Sequence, residues 1–233
     1  KKDKQLSAEG YRINHTGNQV TITSPTDKGL LYAAYHLIRL QQTQEWDKTT
    51  LPIVENPVFP IRILNHWDNL DGTIERGYAG KSLWNWEELP AILSPRYETY
   101  ARANASIGIN GTVLNNVNAS PQILSAPYLQ KVKSLADAFR PYGIKVYLSV
   151  NFASPMVLDS LETADPLNKE VIRWWKNKVK EIYQLIPDFG GFLVKANSEG
   201  QPGPCDFGRT HAEGANMLAD ALKPFKGIVM WRA

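Results

Sequence analysis

The sequence is poor in the residues that build many common sites. It has one cysteine, Cys205, which excludes an internal disulfide and a cysteine metal cluster. It has four histidines and no His-x-x-x-His pair, so no zinc site is expected. His15, His36 and His211 stand isolated. Ser198 lacks a nucleophile-elbow context and Cys205 has no histidine near it, so acyl transfer is not expected. No glycine-rich dinucleotide fingerprint follows any expected strand. No apolar run approaches the roughly 20 residues of a membrane span. The net charge is only +3 with scattered basic residues, which gives nucleic acid no footprint.

What is present describes an ordinary globular protein. At 233 residues, 43% hydrophobic and 21% charged, the chain can bury a sizeable core in one or two domains. Seven tryptophans and ten tyrosines exceed what a small core needs. That excess suits a sugar-binding cleft, where rings stack on apolar sugar faces, and is also common in large barrels. The first residues, Lys1-Lys2-Asp3-Lys4, carry neither an initiator methionine nor an apolar signal core and read as the cut end of something longer. Localisation is therefore unreadable.

Gln19 to Thr23 alternates as a half-buried strand. Ser24-Pro25-Thr26-Asp27 then reads as turn and cap, and Gly29 to Leu40 as an amphipathic helix. The two prolines of Glu55-Asn56-Pro57-Val58-Phe59-Pro60 suggest a linker, dividing residues 1–56 from 57–233. Beyond it strands and helices alternate. Strands are expected at 61–65, 111–115, 144–150, 191–194 and 227–231. Helices are expected at 94–105, with Ser94 as N-cap and Pro95 first, and at 127–139, 168–186 and 210–222. This alternation implies a parallel sheet, either doubly wound or a (β/α)8 barrel. Long polar loops after Asn65, Asn115, Val150 and Val194 favour the barrel, truncated after about its fifth strand, because barrels build active sites on such loops.

Two loops concentrate chemistry. Residues 65–78 hold His66, Trp67, Asp68, Asp71, Glu75 and Arg76. They suit polyol binding, or else a loop that caps its own backbone, as Asp71-Gly72 suggests. The three amides Asn115, Asn116 and Asn118 can bind sugar hydroxyls, but satisfying loop backbone is the more ordinary role for most of them. Residues 190–204 run from a buried strand through Lys195 to Glu199 and then into a stiff Gly/Pro loop. A general acid must be protonated near neutrality, and Lys195 opposes that unless an anionic substrate engages it. In a barrel Arg232 lies beside Lys195, so the two can clamp a carboxylate, or each can snorkel or pair with an acid.

At these residues the chain resembles the α-glucuronidases of glycoside hydrolase family 67. The likeness is densest in Arg62 to Gly72, Ile74 to Gly80, Arg140 to Tyr147 and Lys195 to Pro204. It implies a (β/α)8 barrel preceded by an α/β domain whose end is the helix Gly29 to Leu40. It further implies removal of α-1,2-linked 4-O-methylglucuronic acid from xylooligosaccharides derived from glucuronoxylan, with inversion and without a cofactor. It assigns Glu199 as general acid, Lys195 and Arg232 to the uronate carboxylate, and Trp67 and Val117 to the 4-O-methyl side. The family's base carboxylates lie on later strands, so this chain is expected to be an inactive piece of a larger enzyme. The contacts of any homodimer are likewise expected in the later region. Two other readings fit the residues: a non-catalytic uronic-acid-binding module, and a barrel hydrolase of different sugar specificity. Three sequons, at Asn104, Asn110 and Asn118, sit in barrel elements, which argues against their glycosylation.

Overall fold

The computed structural model describes residues 5–233; the opening Lys1-Lys2-Asp3-Lys4 lies outside them. Strands β1 (Tyr11–Thr16), β2 (Gln19–Thr23) and β3 (Ile53–Glu55) form an antiparallel sheet ordered β2-β1-β3. Helix α1 (Asp27–Gln42) starts at Thr26, whose hydroxyl accepts from the Gly29 N–H. Its Tyr32, Ala33 and Leu40 pack with Ile13 and Ile53 of this small sheet. Leu31 and Tyr35 turn instead toward the main core. Sharing one helix in this way ties the small sheet to the rest of the chain.

Five parallel strands follow: β4 (Ile63–Asn65), β5 (Gly111–Val113), β6 (Lys145–Ser149), β7 (Gly191–Lys195) and β8 (Ile228–Arg232). They are hydrogen-bonded in chain order. The helices between them are α2 (Pro95–Ser106), α3 (Ala126–Phe139), α4 (Ser154–Asp159), α5 (Lys169–Leu185) and α6 (His211–Leu222). Strict chain order leaves no switch point, which a doubly wound sheet requires. Every right-handed crossover then falls on one face.

The two faces of the sheet confirm this. Successive strand residues point to opposite sides. Leu114, Val146, Leu148, Phe192 and Val194 pack against the helices, among Ala101, Val132, Phe139, Trp175, Val179 and Leu218. Val113, Tyr147 and Leu193 form a separate cluster with Ile63, Ile228 and Met230, joined by Trp67 and Val117 from the loops. No helix contributes to that cluster, so it is the concave interior of a curled half-barrel. Fully burying a side chain such as Phe192 contributes about 1.5–3 kcal/mol. Gly191 permits the close strand pairing at β8: it has φ +135°, and a Cβ there would lie 2.0 Å from the Ile228 carbonyl oxygen.

Helix starts follow their local chemistry. Asn168 accepts from the Glu170 and Val171 N–H groups, and Thr210 forms a reciprocal capping box with Glu213. Ser94 departs from expectation: Pro95 opens α2, but the Ser94 hydroxyl makes no capping bond. Strands β1 and β3 and helix α4 were not anticipated. Strand β3 has three residues and α4 six, too short for periodicity to register.

Candidate active site

The carboxyl end of β7 places Lys195 on the concave face, two residues beyond Leu193. Its side chain is entirely buried, yet it carries an ammonium. That ammonium donates to Asn118 Oδ1 at 2.9 Å and to Glu199 Oε2. Arg232 is the register partner of Lys195 on β8, so the two cations stand side by side. The Arg232 guanidinium lies over the Trp67 ring, 5.9 Å from its centroid. Val117, 2% exposed, packs in the same interior cluster as Trp67. The five residues singled out in the sequence therefore come from three loops and two strand ends at one rim of the half-barrel.

Glu199 is held in an unusual place. Its φ is +49°, as is that of Asn197, a left-handed conformation that costs a non-glycine residue of order 1–3 kcal/mol. The loop around it compensates. Asn197 accepts from the Cys205 N–H at 3.0 Å and donates to Asp206 at 2.9 Å, and Asp206 accepts from the Gly203 N–H. Arg209 makes a two-pronged bond to Asp165 at 2.9 and 2.8 Å, tying this loop to the connection between α4 and α5. Glu199 Oε2 also lies 3.7 Å from Arg76, on the β4 exit loop. The hydrogen bond from Lys195, then its charge, with smaller help from Arg232 and Arg76, holds the Glu199 carboxyl below its usual range. Lys195 is thus paired with an acid here, as the plainer of its two sequence readings has it.

The adjoining loops are built from amides. Asn115 exchanges hydrogen bonds with the backbone of Ser149 across to β6. Asn116 donates to Asn69 and to the Glu75 carbonyl, locking the β4 and β5 exits together. Only the third, Asn118, reaches a functional candidate. Asp71 accepts from the Thr73 N–H and hydroxyl and so caps its own turn. A cleft of about 330 Å³ opens between Asp68–Asp71 and Asn115–Ser120. Asn118 sits on its wall and on Lys195 at once. The amides of the other two sequons are also engaged: Asn104 donates to the Tyr100 carbonyl and Asn110 to Pro60.

One expectation fails. Cys205 does have a histidine neighbour, with Sγ 3.7 Å from His211 Nε2. A 3-10 turn at Pro204–Phe207 and a left-handed Gly208 fold the chain back, so that the start of α6 faces the thiol. Sequence spacing alone conceals that turn. Among the described residues no group of three His, Cys, Asp or Glu side chains is placed to hold a metal ion.

Asp68 anchors the β4 exit. It is 2% exposed and accepts from the Ser82 hydroxyl and the Leu83 N–H, each at 2.7 Å, with His66 Nδ1 at 3.4 Å. Burial pushes its carboxyl up, but bonds from His66, Ser82 and Leu83 outweigh this and the net shift is downward. A depressed carboxylate stabilises the fold above its unfolded value, and that contribution is lost as pH falls through the folded value. Asp68→Ala should destabilise by about 3 kcal/mol, since it strands buried donors. Its melting midpoint should also lose less than the wild type does on acidification below about pH 4. Equal midpoints for the two proteins at pH 7 would contradict this role.

Solved structures share this architecture. The beta-N-acetylhexosaminidase from Bacteroides fragilis NCTC 9343 matches with a TM-score of 0.55 at 13% identity, over 99% of this chain and 53% of that one. At that identity the likeness is one of fold. The chain itself belongs to glycosyl hydrolase family 67, whose middle-domain model matches residues 39–233. Probable alpha-glucuronidase A of Neosartorya fischeri is 46% identical over 230 residues, and Alpha-glucuronidase of Hypocrea jecorina is 46% identical over 234. Each match covers 98% of this chain but 27% of the relative, so the chain spans about a quarter of those proteins.

Proposed function

We propose that this chain supplies the acid side of the active site of an α-glucuronidase that releases (4-O-methyl)glucuronic acid from xylooligosaccharides. The observation that carries the reading is the pairing of Lys195 and Arg232 on adjacent strand ends, with Glu199 on the Lys195 ammonium. Two cations at one rim match a uronate carboxylate, the fork of Arg232 binding it bidentately. Trp67 offers a sugar-stacking face, and Val117 an apolar contact for the 4-O-methyl group. In this reading the half-barrel closes as a (β/α)8 barrel in the full-length protein, and residues 1–56 end a preceding α/β domain.

Glu199 donates its proton to the glycosidic oxygen as the bond breaks, while water attacks the opposite face of the sugar. An inverting enzyme needs a second carboxylate about 6.5–9.5 Å from the acid to take the water's proton. We place that base outside these residues, in the further length that the α-glucuronidase relatives have. The Lys195–Glu199 ion pair, which holds the Glu199 carboxyl below its usual range, favours a second reading, a module that binds uronic acids without cleaving them. Proton NMR of the full-length protein acting on aldouronic xylooligosaccharides separates the possibilities. Inversion of the α-bond should give β-glucuronic acid first. Release of the α-anomer first would overturn inversion, and absence of release would favour the binding module.

A further inference from the structure

Lys195 is asked to do two things. In this structure its ammonium pairs with Glu199. For a uronic acid to bind, the same ammonium must turn its charge to the substrate, while Glu199 takes up a proton. A buried ammonium that loses its acid partner is strongly destabilised unless another acceptor stays with it. The other acceptor recorded for it is Asn118 Oδ1, at 2.9 Å. Lysine offers only donors, so the amide must present its oxygen there.

Asn118 is itself fixed. Its N–H donates to Asn116 Oδ1 at 3.0 Å. Asn116 in turn holds Asn69 and the Glu75 carbonyl, and its own N–H donates to the Asp68 carbonyl. The Asn118 backbone is therefore held by the β4 and β5 exit loops, independently of Glu199. The neutrality of its side chain matters as much as this placement. An amide orients an ammonium without cancelling its charge, whereas a carboxylate at the same place would hold the cation for itself.

We propose that Asn118 is a positioning residue, whose carbonyl oxygen keeps the Lys195 ammonium in place while it exchanges Glu199 for the carboxylate of a uronic acid. This rests on the uronate-site reading above. The test uses the full-length protein with Asn118→Ala, Asn118→Asp and, as reference, Lys195→Met. Three quantities are compared: kcat and KM on aldouronic xylooligosaccharides, Kd for glucuronate, and Kd for glucose as a neutral ligand. Asn118→Ala should raise KM and the glucuronate Kd about tenfold or more, the size of one hydrogen bond to a charged group. Asn118→Asp, which keeps the shape, should raise them further, about a hundredfold, as a half-buried carboxylate takes the cation. Glucose binding should not change in either. Wild-type glucuronate affinity in the Asp variant, or equal losses for glucuronate and glucose, would overturn the proposal. If Lys195→Met is impaired while both Asn118 variants are normal, only the role of Asn118 fails. If Lys195→Met is also normal, the uronate site itself fails.

Discussion

Glu199→Gln in the full-length protein should cut turnover of aldouronic xylooligosaccharides about a thousandfold, within the range of about 10²–10⁴ that a general acid supplies. Glutamine keeps the shape and an acceptor oxygen for Lys195, so the loop and its ligand contacts should persist and KM should change little. The loss should be smaller on aryl glucuronides with good leaving groups, which depart without a proton. A variant with near-normal turnover on the natural type of leaving group would remove Glu199 from the acid role. The structure explains why this residue is committed so strongly. Its left-handed backbone is held by Asn197, Asp206 and the Arg209–Asp165 clamp, which fix the carboxylate at the rim.

Lys195→Met should weaken glucuronate binding by about a hundredfold, the cost of removing a buried cation from opposite the sugar carboxylate. Methionine fills the stem's volume, so neutral ligands should bind as before. A second effect follows from the ion pair. The Lys195 hydrogen bond is the largest cause of the lowered Glu199 carboxyl. Removing it raises that pKa in the free protein, and the acid then stays protonated to higher pH. The alkaline limb of the kcat/KM profile should therefore move upward in the variant. An unmoved limb, or equal weakening of glucuronate and glucose, would make Lys195 a structural cation.

Much of the scaffold was legible because it is periodic. The alternation of short apolar runs with amphipathic stretches marked all five parallel strands and their major helices to within a few residues. Strict chain order, which distinguishes a half-barrel from a doubly wound sheet, was not readable from periodicity. Both architectures present the same string of elements and differ in which face each crossover takes. Within the site, Lys195, Arg232 and Glu199 stood out because charged residues directly follow buried strands. Asn118 did not, because three amides in four positions look alike until the structure shows which backbone groups Asn115 and Asn116 already serve. The approach of Arg76 to Glu199 escaped notice for another reason: it joins loops more than a hundred residues apart. The Cys205–His211 contact depends on a left-handed glycine turn that spacing cannot reveal.

The central claim is that two adjacent strand ends form a site for a sugar carboxylate. Calorimetric titration of the full-length protein with glucuronate and with glucose tests it most directly. Glucuronate should bind measurably, more weakly as salt rises, and the Arg232→Ala variant should lose that binding while its response to glucose stays the same. Glucose binding as tightly as glucuronate to the wild-type protein would contradict the claim.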